Sequence, residues 1–259
     1  MHIFERAHAY HRLWRYRLRT ERQEIAYLLS RDLRGATVAD IGANRGMYSY
    51  WMHKAVAPDG NVVAFEPQPE LAAYLQELKA ALGLNRLTIV ETALSSGIGE
   101  RRLVRPRDHW GAASLELEPD SGRDTLTVAT TTLDEYFLRS PLRPLRFIKA
   151  DIQGHEHDCF VGGERLLRED RPAVLCESED AELERVRSYL TSLEYEGFFF
   201  LRGQLVPIFD LERVRRTIAA PYLNYVFLPR ECGRSAESQK KRGLATPLSP
   251  SSSEGDTPA

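Results

Sequence analysis

Cysteine is scarce: the 259-residue chain holds three, Cys159, Cys176 and Cys232. They are widely spaced and odd in number, so neither a disulfide framework nor a zinc-binding set follows from them, and no metal is expected. A reducing, cytoplasmic setting is the simplest expectation. Long apolar runs are also missing. None approaches the roughly 20 residues that a membrane-spanning helix needs, so no span is expected. The opening stretch MHIFERAHAYHRLWRYRLRTER carries charges where a secretory leader needs an unbroken apolar segment, and no leader is read there. Nor is there an excess of charge: 35 Lys and Arg against 37 Asp and Glu leave a net −2. That balance argues against a dedicated nucleic-acid binder, which usually carries a strong basic surplus.

What is present is a rhythm. Residues 1–34 read as an N-terminal helical extension, with Leu13, Trp14, Leu18, Ile25, Leu28 and Leu29 as an approximate stripe and arginines on a solvated face. From Gly35 short apolar runs alternate with helical stretches. TVADIG (37–42) precedes RGMYSYWMHKAV (45–56), and NVVAFEP (61–67) precedes ELAAYLQELKAAL (70–82), which Gly83 ends; LTIVETAL (87–94) follows. Strands that alternate with helices and are apolar throughout predict a parallel sheet covered on both faces. Residues 95–132 interrupt this with an expected antiparallel pair around a polar loop, 105–124, holding His109, Trp110 and Gly111. LRFIKADIQG (145–154), a helix over 158–170, a strand over 172–178 and a helix over 181–193 resume the alternation. The late runs YEGFFFLRG and YLNYVFLPR predict an antiparallel pair at the sheet edge. One α/β domain is therefore expected over 35–230. Residues 231–259, rich in Ser, Pro, Gly and Lys, are expected to be a disordered tail.

Two strands end in acids, Asp40 and Glu66, and the first is followed by Gly42 and Gly46. In open parallel sheets ligands bind beyond the carboxyl ends of the strands, where the strand order reverses. Glycine in that turn permits positive φ and close approach of a ligand to the backbone. Glu66 is then suited to accept ribose hydroxyls. The turn reads G-A-N-R-G, without the middle glycine that makes room for a pyrophosphate, so a nicotinamide-dependent oxidoreductase is the weaker alternative. Asp40 repels phosphate and suits a cation. S-adenosylmethionine, with a ribose, an ammonium and a sulfonium but no phosphate, fits. Read without function, Asp40 caps a helix and Glu66 is a surface carboxylate before a proline.

VADIGANRGMYS, VVAFEPQPE, TALSSGIGE, TTLDEYF and IKADIQGHEHDCFVGGERLL, in this order, resemble the FkbM family of S-adenosylmethionine-dependent methyltransferases over about residues 37–178. The resemblance implies an α/β fold with a Rossmann-like class I methyltransferase sheet, mostly parallel with an antiparallel edge strand, and makes 35–230 a methyltransferase domain. It implies methyl transfer, typically to a hydroxyl of a sugar or natural product, so the expected partner is a small hydroxylated acceptor. It places Asp40, Gly42, Asn44 and Gly46 along the methionine end of the cofactor and Glu66 on the ribose. Glu91, Thr92 and Ala93 come near the adenine, and Asp151 faces the sulfonium and the acceptor.

An alcohol acceptor must lose its proton during attack, so a base within hydrogen-bond reach is needed. Asp151 is the first candidate, followed by His155 and Glu156, with His109 as a lid residue and Trp110 as a stacking surface for the acceptor. The cluster of His155, His157, Glu156 and Asp158 lacks metal-ligand spacing. Cys159 reads as a small core residue. One departure stands out: the family pattern carries an acid where this chain has Gln153. That motivates the alternative of a methyltransferase-like binding or scaffold protein without catalysis.

Overall fold

The structure, a computed structural model, describes residues 3–108, 110–216 and 224–230. His109 and the 231–259 tail, both subjects of expectations above, lie outside the described residues. The N-terminal region forms two helices rather than one, α1 (Ile3–Arg15) and α2 (Arg22–Ser30), joined by a π-helical turn over Tyr16–Thr20. The wider turn rephases the apolar stripe. Leu13, Ile25 and Leu28 are fully buried, whereas Trp14 and Leu18 remain 46% and 59% exposed.

β1 (Thr37–Ile41) leads into α3 (Met47–Val56), β2 (Asn61–Phe65) into α4 (Pro69–Leu82), and β3 (Leu87–Val90) follows. α4 opens on Pro69, where a missing amide leaves no bond unmade, and stops at Gly83, which takes φ +64° and donates its amide to the Lys79 carbonyl. The 87–94 run divides. Its second half, β4 (Ala93–Leu94), leaves the main sheet and joins β5 (Gly99–Pro106) and β6 (Arg123–Thr131) in a separate three-stranded sheet. β5 and β6 pair antiparallel from Gly99 opposite Thr130 to Pro106 opposite Arg123, around the expected loop.

α5 (Leu133–Phe137) is capped by the Thr132 hydroxyl, which accepts from the Glu135 amide, and β7 (Leu145–Ala150) follows. The helix expected over 158–170 is two, α6 (Glu156–Val161) and α7 (Glu164–Asp170). Gly162 lies at the break because a β-carbon there would meet the Ser95 carbonyl oxygen at 2.1 Å. β8 (Ala173–Glu177), α8 (Asp180–Ser192), β9 (Tyr195–Leu201), β10 (Gln204–Pro207), α9 (Leu211–Arg215) and β11 (Asn224–Pro229) complete the described elements.

The main sheet has the order β10-β9-β11-β8-β7-β1-β2-β3. The five strands β3, β2, β1, β7 and β8 are parallel neighbours. The late strands β9 and β11 do pair antiparallel, but β11 lies inside the sheet between β8 and β9, and the antiparallel edge is β10. Burial is the reason: from Tyr225 to Pro229 β11 is wholly buried, a profile that an edge strand does not satisfy. Alternate residues feed two cores. Ala39, Ile41, Val63 and Phe65 face one, with α5 to α8; Val38, Val62 and Ala64 face the other, with Leu13, Ile25 and Leu28 of α1 and α2. The chain runs outward from β1 through β2 to β3, then returns to β7 on the other side of β1. The strand order therefore reverses between β1 and β7, and the site is built there.

Candidate active site

β1 ends at Ile41, and the chain turns at Gly42, whose φ is +76°. The amides of Gly42 and Ala43 both donate to the Phe65 carbonyl at 3.0 Å, tying the turn to the end of β2. A β-carbon on Gly42 would lie 2.0 Å from the Asp151 carbonyl oxygen. The glycine is thus demanded by backbone from the end of β7, in addition to whatever ligand approaches. Asn44 also takes positive φ, +49°, which aims its amide at Glu66 Oε2, 2.8 Å away. Gly46 serves packing: its φ is +73°, and a β-carbon there would meet Leu75 and Leu78 of α4 at 2.8 Å.

Glu66 is 3% exposed, and its carboxylate accepts from the Asn44 amide and from both the amide and side-chain amide of Gln68. Burial nevertheless dominates and pushes its pKa up to about 7. Beside it opens a cavity at the carboxyl ends of β1 and β2, closed on one side by residues of the 95–132 insertion. Gly42, Asn44, Glu66, Thr92, Ala93 and Asp151 all line it. Phe65, Leu94, Leu103 and Leu115 supply apolar wall. Leu103 and Leu115 come from the 95–132 insertion, and no local pattern marked them as cavity residues. Glu91 is exposed and does not line the cavity.

Asp40 is placed differently. It is 2% exposed, accepts from the Ser49 hydroxyl of α3, and has its pKa pushed up to about 6 by burial. It borders an adjoining cleft, which shares Gly42, Asn44, Gly111 and Asp151 with the first cavity. Gly46 borders neither.

Asp151 stands on the wall between the two cavities, its side chain 36% exposed. The Asp151 amide donates to the Ile41 carbonyl at 3.0 Å, extending the β1–β7 pairing. Oδ1 accepts from Gln153 Nε2 at 2.9 Å, and Oδ2 lies 3.9 Å from Lys149 Nζ. Lys149 is 1% exposed and sits over the Tyr48 ring. Burial opposes its charge, but Asp151, Glu177, Glu21 and Asp40 together hold its pKa above the usual lysine value. Gln153 adopts φ +55°, and its carbonyl accepts from Ser114.

The other two candidate bases are engaged within the protein. His155 lines the cavity, but Nδ1 is 2.6 Å from Glu116 Oε1 and Nε2 is 3.0 Å from Ser95 Oγ, so both ring nitrogens are engaged. Glu156 is fully buried and accepts from the amides of Ile152 and Gly154, fixing the loop that carries Asp151. Glu116, His155 and Asp158 bring ligand atoms within 4.8 Å of one another. Two of the three are already engaged otherwise, Glu116 by His155 Nδ1 at 2.6 Å and Asp158 by Arg185 at 3.2 Å. Cys159 is fully buried, and burial pushes its thiol well up. Trp110 borders the cleft; its carbonyl accepts from Gln68 Nε2, and its ring lies under Arg105, which is doubly bonded to Glu70.

A sheet that reverses between β1 and β7, with a buried carboxylate at the end of β2 and a cavity beside it, defines the class I methyltransferase fold. The match to a family model is specific: the chain belongs to the FkbM methyltransferase domain family, matched over residues 40–198. No curated protein sequence matches it. Among solved structures it is similar to the methyltransferase FkbM from Methylobacillus flagellatus KT, with 15% identity and a TM-score of 0.52 over 75% of this chain and 44% of that one. The chain thus spans less than half the length of that relative. It is also similar to an S-adenosylmethionine-dependent O-methyltransferase from Thermotoga maritima, with 16% identity and a TM-score of 0.48 over 82% of this chain and 65% of that one. S-adenosylmethionine is the cofactor that goes with this family and fold. The residues present fit it: a buried carboxylate for hydroxyl donors, apolar wall for a flat base, and, among the described residues, no lysine or arginine lining this cavity to select a phosphate.

Proposed function

We propose that the protein transfers a methyl group from S-adenosylmethionine to a hydroxyl oxygen of a small acceptor, with Asp151 as the base. The observation that carries this reading is the position of Asp151: a partly exposed carboxylate on the wall shared by the cavity beside Glu66 and the adjoining cleft. The cofactor supplies an activated methyl on a sulfonium, so the protein's contribution is positioning, exclusion of water and removal of one proton.

Glu66 holds the ribose. Its oxygens offer about four acceptor sites, three of them taken by Asn44 and Gln68. One hydroxyl finds a free site, and release of the Gln68 side chain opens a second. Thr92, Ala93 and the apolar wall receive the base. Asp40, with Gly42 and Asn44, borders the methionine end. Asp151 takes the hydroxyl proton as the oxygen forms its bond to the methyl carbon and the carbon–sulfur bond breaks, its electron pair staying on sulfur. Gln153 and Lys149 steady the carboxylate for this step.

Gln153 favours catalysis over the scaffold alternative. Its amide donates to Asp151, so the base gains an orienting bond. The test is calorimetric titration of S-adenosylhomocysteine into the wild type, Asp40→Ala/Glu66→Ala and Asp151→Ala, followed by an acceptor screen. Saturable binding lost in the double variant and kept in Asp151→Ala, with turnover lost in Asp151→Ala, is the expected result. Wild type that does not bind, or Asp151→Ala with full turnover, overturns the assignment.

A further inference from the structure

The cleft that Asp151 shares with Asp40 is lined by arginines from three separate parts of the chain: Arg12 and Arg15 on α1, Arg45 in the turn after β1, and Arg107 after β5. Two are partly engaged. Arg12 donates to the Tyr74 hydroxyl, and Arg107 pairs with Asp124 at 3.0 Å. Arg15 and Arg45 are exposed and have no carboxylate partner among the described residues. The acids bordering the cleft are occupied within the protein. Glu21 accepts from the Tyr48 hydroxyl, Asp40 from Ser49, and Asp151 from Gln153 beside Lys149. Asp108, exposed at the rim, is the one bordering acid without a partner among the described residues. The cleft sets Arg12, Arg15, Arg45, Arg107 and Lys149 against Glu21, Asp40, Asp108 and Asp151, so its lining is balanced to slightly basic, and Arg15 and Arg45 are the two exposed cations in it without an acid partner among the described residues. The methionine end of the cofactor carries one carboxylate and one ammonium, which does not account for four arginines.

We propose that the acceptor is an anion: a small hydroxylated molecule bearing a phosphate or carboxylate group that Arg15 and Arg45 bind while its hydroxyl meets Asp151. This rests on the reading of the site as an O-methyltransferase and names its substrate class. Arginine suits the task because its planar fork matches either anion with two parallel hydrogen bonds, and the guanidinium stays charged at any working pH. The arrangement also orients the acceptor. An anionic group held at the rim by α1 and the β1 turn leaves the rest of the molecule pointing inward along the cleft toward Asp151.

The test uses glucose 6-phosphate, glucuronate and glucose as probes, titrated by calorimetry into the full chain saturated with S-adenosylhomocysteine, and into Arg15→Gln/Arg45→Gln. Both positions are exposed, so the double variant should keep its melting temperature. One or both anionic sugars should bind at least about tenfold more tightly than glucose, lose about tenfold in the double variant, and weaken as sodium chloride is raised. The phosphate and carboxylate arms then distinguish the two anions. The proposal is overturned if neither anion binds, if glucose binds equally well, or if the double variant binds the anions unchanged. It is also overturned if the double variant loses affinity for S-adenosylhomocysteine, which would assign these arginines to the cofactor's carboxylate. Binding of a short RNA in place of the small anions overturns it as well. Should the wild type bind an anion with the expected arginine dependence but no S-adenosylhomocysteine, the anion subsite stands and the methyltransferase reading of the site fails.

Discussion

Gln153 donates a hydrogen bond to Asp151 across a tight turn, Nε2 to Oδ1 at 2.9 Å, and its own φ of +55° is what brings the two side chains together. The bond fixes the rotamer of the proposed base, so Gln153→Ala should lower turnover by about tenfold, the value of one such bond, and leave S-adenosylhomocysteine affinity unchanged. Gln153→Glu sets a second carboxylate against the first. It should move the acidic limb of the kcat/KM profile to higher pH, because a neighbouring negative charge favours protonated Asp151. A profile unmoved in Gln153→Glu, together with full turnover in Gln153→Ala, removes Gln153 from the mechanism.

Asp151→Ala should reduce turnover by about 100-fold or more, the usual contribution of a positioned base, with cofactor affinity within a few-fold of wild type. His155→Asn provides the contrast. Both His155 nitrogens are engaged, by Glu116 and Ser95, so this variant should lose stability by about 1–2 kcal/mol while keeping the acidic limb in place. Thermal melts and pH–rate profiles on the same preparations separate the two roles. A pH limb that disappears in His155→Asn would transfer the base to the histidine.

Glycine substitutions should separate cavity from packing. Gly42→Ala adds a β-carbon 2.0 Å from a backbone carbonyl oxygen at a φ of +76°. Backbone cannot yield as a side chain can, so the loss should reach about 3 kcal/mol or more, and surviving protein should bind S-adenosylhomocysteine poorly. Gly46→Ala meets two leucine side-chain ends and should destabilise by about 1–3 kcal/mol from its φ, with cofactor affinity retained. Equal affinity losses in the two variants would contradict the placement of Gly46 outside both cavities.

The ligand-free protein should lose stability as pH rises from 5 to 8. Burial holds Glu66 and Glu156 up to about 7 and Asp40 up to about 6, above the ordinary 4.5, 4.5 and 3.8. Between those values the folded chain keeps protons that the unfolded chain has released, so each rise in pH favours unfolding. The melting temperature should fall across this window, and Glu66→Gln should flatten part of the fall. S-adenosylhomocysteine, by supplying hydroxyl donors to ionised Glu66, should raise the melting temperature more at pH 8 than at pH 5. A melting temperature that rises through the window would refute the assignment of these buried acids.

The alternation of apolar runs with helical stretches is a local property, so the five parallel strands and the helices between them were legible from residue patterns alone. So were Asp40, Glu66 and Asp151 as strand-end acids, because a carboxylate that closes an apolar run is visible without any partner. The last strands were less legible. A fully apolar strand reads the same whether it lies at an edge or inside, and only the β8–β11–β9 pairing placed β11 within the sheet. The break between α6 and α7 likewise depends on the Ser95 carbonyl, which no pattern around Gly162 announces.

By itself, then, the sequence determined the five parallel strands, their covered faces and the acids near their carboxyl ends, because burial and helical periodicity are written residue by residue. The tertiary structure alone decided what each polar group meets: Asp151 over Gly42, Glu116 and Ser95 on the two nitrogens of His155, and four arginines from three segments around one cleft. Those contacts join residues remote in the chain. Their energies depend on distance and desolvation in three dimensions, quantities that periodicity does not carry.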